Sequence, residues 1–469
     1  MVIRPFLFLG LISFVGLAGC RTTDRVCDSE YAELAHSPHF AADASTFEAP
    51  LETGSDLAGP HSVDEYIQIA LGRNPEIQAA RKQAEALVHQ VPVAASLQDP
   101  TLNVTAQPAP VQTAAGRQAL MISASQKLPW RGKLDARANA AQSQAEVARS
   151  QLAAVELDIV AKVKRAYYEL YFLQQAIKTT EAEQKLLGEI RTVANNRYKT
   201  GQTSQQDVLR ADLEVFRVHK ELIQLRRQLV SGQARLARTL QVAPQTELLA
   251  MDALPPEQFA GKTQADLEQL QRRAIASRPE LHAQLAAVGR DQWAVESARL
   301  NYKPDVTLGF SWIDVADVGV SPVANGRDAL LLTAGVNLPI YKNRLASSVR
   351  SAQAQAVSTA RQYDAMRDGV LEEVTDLFAQ ARSQQELLTL FREGVLPKAR
   401  QTLTVSTRAY NVGEVDFLQL IDNWRQVLRY EIQYRRLEAS LRQTLADLER
   451  AVGGFAEAAS EPTNSPLPE

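Results

Sequence analysis

Apolar residues along this chain follow two different periods. Leu102, Val104 and Ala106 alternate with Thr101, Asn103 and Thr105, and Leu120, Ile122 and Ala124 alternate with Met121, Ser123 and Ser125. The alternation returns more sharply as Val306, Leu308, Phe310 and Trp312 against Thr307, Gly309 and Ser311. It recurs as Leu332, Ala334, Val336 and Leu338 against Thr333, Gly335 and Asn337. A period of two predicts four strands, each with one apolar face. Elsewhere the spacing is helical. No proline interrupts Trp130 to Asn196, and Leu152, Val155, Ile159, Val163, Ala166, Leu170, Leu173 and Ile177 keep coiled-coil spacing. At about 1.5 Å per residue such a helix reaches about 100 Å. The segment that follows carries Val208, Ala211, Val215, Val218, Leu222, Leu225 and Leu229, with a second stripe at Leu209, Leu213 and Phe216. Two stripes predict neighbours on two sides.

The chain is written twice. Pro75, Glu76, Ile77 and Ala79 return as Pro279, Glu280, Leu281 and Ala283, and Pro100, Leu102 and Val104 return as Pro304, Val306 and Leu308, each shifted by 204 positions. Leu128 and Pro129 return as Leu338 and Pro339 after 210 positions, and Tyr198 and Gly201 as Tyr410 and Gly413 after 212. Anchors in constant order with slowly growing offsets mark a duplication with small insertions in the second copy. Each copy reads as a helix, two strands, a very long helix, a tight turn and a return helix. The copies occupy residues 62–243 and 264–453, joined by a Pro- and Gly-containing linker over 244–263. Ala138, Ala140, Ala141, Ala145 and Ala148 open the first long helix and permit close helix approach where it leaves the strands. Pro397 predicts a kink or interruption in the second. Residues 454–469, dominated by Ala, Ser, Glu and Pro, read as a disordered tail.

Strands with one aliphatic and one small polar face fit either a half-buried soluble sheet or a lipid-facing barrel with a wet lumen. Their length of roughly nine to eleven residues suits a tilted transmembrane strand. The segments between them, 108–117 and 315–328, are rich in Gly, Pro, Asn and Asp and read as outward loops. Four strands alone leave sheet edges open, which hydrocarbon does not tolerate, so membrane-spanning strands require two or more copies of the chain.

Composition narrows the remaining classes. Hydrophobic residues make up 45% and charged residues 22%, ordinary for a folded protein, and a net charge of −3 offers no basic field for nucleic acid. Arg4 followed by the apolar run Phe6 to Val15 reads as a secretory signal over residues 1–19, too short to span a membrane as a helix. Leu17, Ala18, Gly19 and Cys20 resemble a bacterial lipobox, implying cleavage before Cys20 and acylation of that cysteine; Arg21, in place of an aspartate, fits sorting to an outer membrane. Residues 20–61 then read as a lipid-anchored tether. With Cys20 lipidated, Cys27 has no partner in the chain and no disulfide framework is expected.

These features together resemble the TolC-type outer membrane factors over roughly Val63 to Gly453. The motifs are Tyr198 to Gly201 (YKTG) with Asp207, its partner Tyr410 to Gly413 (YNVG) with Asp422, and the strand-to-helix junctions Gln126 to Lys133 (QKLPWRGK) and Asn337 to Tyr341 (NLPIY). The first junction looks most like the branch that serves heavy-metal efflux. The resemblance implies a mainly α protein with a transmembrane β-barrel: two structural repeats, four strands per protomer in a trimeric twelve-stranded barrel, and a long periplasmic α-helical barrel. It implies a homotrimer in the outer membrane partnered by a periplasmic adaptor protein and an inner-membrane resistance-nodulation-division pump, with no nucleic acid. Thr200, Gly201, Gln202, Val412, Gly413 and Glu414 would meet the adaptor. Asp207, Tyr410, Gln419 and Asp422 would form the channel gate, with Gln419 standing where an aspartate is common and Val415 where an arginine occurs. Both glycines also fit helix ends in the left-handed conformation, and both aspartates fit helix starts.

No Walker A loop, zincin motif, nucleophile elbow or dinucleotide fingerprint lies in a suitable context, so no enzyme is expected. No cofactor or metal site is expected either: the six histidines are scattered, His36 and His39 have no further ligands near them, and the four methionines form no relay. The expected function is the exit duct of a tripartite efflux system, carrying metal cations or drugs. The alternatives are a type I protein secretion duct and a lipid-anchored periplasmic coiled-coil scaffold.

Overall fold

A computed structural model of the chain describes residues 31, 57, 59–254, 259, 261, 263–317, 319–322 and 326–454. The chain divides into two units, Met1–Thr53 and Gly54–Glu469, and the elements below belong to the second. The expected signal segment, Cys20, Cys27, His36, His39 and residues 455–469 lie outside the described residues.

Each repeat opens with the same local chemistry. In the first, Ser62 caps α1 (Val63–Arg73): its hydroxyl accepts from the Glu65 N–H at 3.2 Å, while the Glu65 carboxylate accepts from the Ser62 N–H at 3.1 Å. In the second, Thr263 and Asp266 close the same reciprocal box ahead of α5 (Gln264–Ser277). The helices that follow, α2 (Pro75–Ala95) and α6 (Pro279–Leu300), both start on proline, which lacks the N–H that a first helical turn leaves unused.

Then come the strands, β2 (Thr101–Thr113) and β3 (Gly116–Leu128) in the first repeat and β5 (Val306–Ala316) and β6 (Ala329–Val336) in the second. They form one antiparallel sheet in the order β2-β3-β5-β6, so the repeats meet edge to edge at β3 and β5. The register places Leu102, Ala124, Phe310 and Leu332 in one row and Val104, Ile122, Trp312 and Leu330 in the next, on one face. Thr101, Ser125, Gly309 and Thr333 form a row on the other face. The apolar face is uncovered: Leu332 is 86% exposed. Both β2 and β6 are edges of this sheet. The composition predicts a loop from Pro108, but β2 runs on to Thr113 with a register shift between Ala106 and Val111. Pro108 and Pro110 are tolerated because an edge strand with a bulge needs no ladder N–H there.

The helical part hangs from the other end of the strands. The helix α3 (Lys133–Lys199) runs unbroken for 67 residues and returns as α4 (Gln205–Leu240). In the second repeat α7 (Lys342–Leu390) passes through a π-helical turn, Phe391–Val395, into α8 (Leu396–Val412) and returns as α9 (Phe417–Ala451). Pro397 accounts for that turn. Its ring has no N–H to donate and crowds the carbonyl one turn back, and the wider π register, with the Leu396 N–H reaching the Phe391 carbonyl, displaces that carbonyl. The helix is interrupted as expected, by a bulge within a continuous rod. Near the strands, Val147 of α3 packs on Ala283 and Ala287 of α6, where small side chains permit close approach.

The end of the expected tether and the linker meet in a short strand pair that the sequence does not predict. Strand β1 (Gly59–His61) pairs in parallel with β4 (Leu248–Ala250), and Leu248 and Ala250 are fully buried against Tyr66, Tyr167 and Leu240. The Tyr66 hydroxyl donates to the Leu249 carbonyl at 3.1 Å, fixing the pair to α1. Alternation over three residues is too short to read as a strand.

Candidate gate and docking site at the helical tip

The two long hairpins end side by side, and the same chemistry turns each. Gly201 holds φ +72° and Gly413 φ +90°, a left-handed backbone that glycine adopts without strain. Beyond each glycine one N–H reaches back over the turn, Gln202 to the Arg197 carbonyl at 2.8 Å and Glu414 to the Ala409 carbonyl at 2.9 Å. The turns touch: a Cβ added at Gly413 would lie 3.3 Å from Nη2 of Arg197. Thr200, Gly201, Gln202, Val412, Gly413 and Glu414 are all exposed, with Val412 at 72%.

Behind the turns, the hairpins pack through Leu187, Ile190 and Ala194 of α3, Ala211 and Val218 of α4, and Leu403, Leu420, Ile421 and Trp424 of α8 and α9. Tyr410 closes this core at the tip. It is 2% exposed, with Phe417 edge-on at 5.7 Å and the Arg197 guanidinium 4.7 Å from its ring centre. Among the described residues Nε and Nη1 of Arg197 have no hydrogen-bond partner although both are buried, and the Tyr410 hydroxyl, also buried, faces the Thr203 hydroxyl without a well-formed hydrogen bond. Asp207 stands in the first turn of α4, where its charge complements the helix dipole, and its carboxylate accepts from the Thr203 hydroxyl. Burial pushes the Tyr410 phenol upward, and the charge of Asp207 adds to the shift. Arg197, Thr203, Asp207, Arg210 and Tyr410 line a hollow of about 440 Å³ between the two turns.

The structure therefore brings Asp207 and Tyr410 together and places the other two gate candidates in different surroundings. Gln419 presents its N–H to the carboxylate of Asp416, the N-cap of α9, at 2.7 Å, and its side chain is exposed. Asp422 is exposed and accepts from Nη1 of Arg425 at 2.9 Å, while Nη2 of Arg425 donates to Glu214 of α4 at 2.5 Å. Arg197, Thr203, Glu214 and Arg425 were missed from sequence. Arg197 sits one turn ahead of the tip glycine, a position that signals contact with the turn; Glu214 and Arg425 lie far apart in sequence and carry no local signal.

Among the described residues no helix is long and apolar enough to cross a membrane, and no group of three or more His, Cys, Asp or Glu is placed to hold a metal ion. The apolar-faced sheet and the two-hairpin rod together define the fold of the TolC-type outer-membrane channels. The chain belongs to the outer membrane efflux protein family, whose pattern it matches over residues 66–240 and 270–454. It is 25% identical over 423 residues to the cobalt-zinc-cadmium resistance protein CzcC of Cupriavidus metallidurans, covering 89% of this chain and 96% of that one. Among solved structures it superposes on the outer-membrane channel OprN with a TM-score of 0.73 at 18% identity, covering 84% of this chain and 90% of that one. It superposes on CusC with a TM-score of 0.71 at 16% identity, covering 88% and 96%.

Proposed function

We propose that this protein is the exit duct of a tripartite efflux system, assembled as a homotrimer in which three four-stranded sheets close one twelve-stranded barrel. The sheet carries this reading: both edges are open and its apolar face is uncovered, so lipid on one side and β2–β6 pairing between subunits would satisfy it. The exposed stripe of Leu209, Leu213 and Phe216 on α4 is the matching surface of the helical barrel. A periplasmic adaptor meets the paired turns at Thr200, Gly201, Gln202, Val412, Gly413 and Glu414, and an inner-membrane resistance-nodulation-division pump supplies the energy. Cys20, acylated after cleavage of the signal, anchors the chain to the outer membrane. Similarity to a cobalt-zinc-cadmium resistance protein over nearly the whole chain favours metal cations as cargo over drugs.

At the tip, Asp207 with Tyr410, and Asp422 with Arg425 and Glu214, narrow the mouth and favour cations; Gln419 stands beside them as a neutral group. Planar-bilayer recordings of Asp207→Ala and Asp422→Ala test the gate: larger conductance or weaker cation selectivity is expected, and unchanged values in both would remove it. Deleting the gene and measuring growth on a panel of metal salts and drugs tests the cargo, with sensitivity to divalent metals expected. Sensitivity confined to drugs would overturn the metal assignment.

A further inference from the structure

A band of cations and aromatic rings lies where the strands pass into the helices. Over residues 97–100, 127–135, 301–305 and 337–344 the sequence holds six Lys and Arg against three Asp. At the opposite end of the sheet, residues 113–118 and 314–329 hold two Arg against three Asp. The sheet is thus charge-polar along its strands, positive towards the helices. Asp305 does not neutralise the band, because it is engaged by Lys133 at 2.6 Å and Lys127 at 3.2 Å, the latter on the polar face with Thr307. The other four cations, Arg131, Lys303, Lys342 and Arg344, are exposed, and among the described residues none takes part in an ion pair.

Apolar groups adjoin these charges. Leu338 continues the apolar face beyond β6 and is exposed, as is Ile340. Trp130, Tyr302 and Tyr341 expose their rings at the same level, Tyr341 at 69%, and Lys303 holds its ammonium 6.0 Å from the Trp130 ring centre. Ile340, Tyr341, Lys342, Asn343 and Arg344 line a hollow of about 440 Å³. Its lining passes from an aliphatic side chain through an aromatic ring to two cations. That sequence of chemistries matches a lipid from acyl chain through glycerol to phosphate.

We propose that this band is a docking surface for anionic phospholipid headgroups in the leaflet that faces the helices. Arg131, Lys303, Lys342 and Arg344 take the phosphates, while Trp130, Tyr302 and Tyr341 sit at the glycerol level. Continuity with the apolar sheet face and the lack of carboxylate partners favour lipid over an acidic protein. The inference rests on the sheet spanning the membrane.

The test uses the detergent-solubilised full-length assembly, titrated with phosphatidylglycerol or phosphatidylcholine at low and high salt, with bound lipid read by native mass spectrometry. About tenfold preference for phosphatidylglycerol is expected, falling with added salt. Exchanging Arg131, Lys303, Lys342 and Arg344 for Gln is expected to bring it within about twofold, while Lys220→Gln with Arg227→Gln on the rod leaves it intact. Should the fourfold variant fail to assemble, the pairs Arg131→Gln/Lys303→Gln and Lys342→Gln/Arg344→Gln are each expected to lose about half the preference on a logarithmic scale. Equal binding of both lipids by the unaltered protein, a preference that survives the substitutions, or full competition by inorganic phosphate would overturn the proposal. Channel activity in bilayers is read in parallel, so a conducting protein without lipid preference sinks this inference alone, and a protein that never spans a bilayer sinks the reading beneath it.

Discussion

Arg425 of α9 reaches Glu214 of α4 at 2.5 Å with one amino group while the other holds Asp422 of its own helix at 2.9 Å. One guanidinium thereby ties the two hairpins behind the tip, at a carboxylate that is almost wholly buried. Removing it in Arg425→Ala leaves that charge only Arg217 at 3.9 Å, and a loss of about 1–3 kcal/mol in unfolding free energy is expected from denaturant titration. Replacing both partners, Arg425→Met with Glu214→Leu, is expected to recover most of that stability because no buried charge remains unpaired. Recovery of stability without recovery of the unaltered single-channel conductance would identify the pair as a latch.

The Tyr410 hydroxyl is buried beside the Thr203 hydroxyl without a well-formed hydrogen bond, so Tyr410→Phe removes at most a weak one. Its stability is expected within about 0.5 kcal/mol of the unaltered protein or slightly above it. Arg197→Ala removes the cation over the same ring and is expected to loosen the tip, measured as faster proteolysis at the two turns. A large loss of stability in Tyr410→Phe would mean that the hydroxyl finds an acceptor in the assembly.

Phe216 is 70% exposed on α4, and Leu213 on the same stripe is 65% exposed. Leu213→Asp with Phe216→Asp is therefore expected to leave the subunit's helical content intact by circular dichroism while abolishing the oligomer in light scattering. An assembly that persists would show that this stripe faces solvent.

Lys133 and Asp305 form a buried pair at the junction of α3 and β5, and Lys133 also donates to the Lys303 carbonyl at 2.8 Å. Because Asp305 keeps Lys127 and the Trp130 N–H, Lys133→Ala is expected to destabilise by about 1–3 kcal/mol, read as loss of the heat-resistant oligomer on gels. The effect is expected to exceed that of Lys127→Ala, whose ammonium is half exposed.

Burial pushes the Glu183 carboxyl above its ordinary value of 4.5, and the charge of Glu431 adds to the shift. The folded state then holds this proton more tightly than the unfolded state. The contribution is fully present below 4.5 and is lost as pH rises through the raised value. Glu183→Gln is expected to be more stable than the unaltered protein at neutral pH, with the advantage vanishing below about pH 4. Equal stability of the two proteins across that range would remove the assignment.

Much of this architecture was legible in the sequence for physical reasons. Alternation at Val306 to Trp312 and a proline-free run after Trp130 leave few ways to fold, and the glycines at 201 and 413 mark the turns. Other features needed three dimensions. Pro108 and Pro110 look like loop residues until β2 is seen to be an edge, and the β1–β4 pair is too short for any period. At the tip, the grouping of Asp207 with Tyr410 was available only through family resemblance. The Arg425 bridge depends on the phase of two helices that meet far along the chain, which local spacing does not encode.

The π-helical turn at Phe391–Val395 has no counterpart in the first repeat, where α3 runs unbroken. If three subunits close a ring, stiff staves alternate with yielding ones around the cylinder. Its compliance would then have threefold rather than sixfold symmetry, and a force applied at the mouth would bend every second stave first.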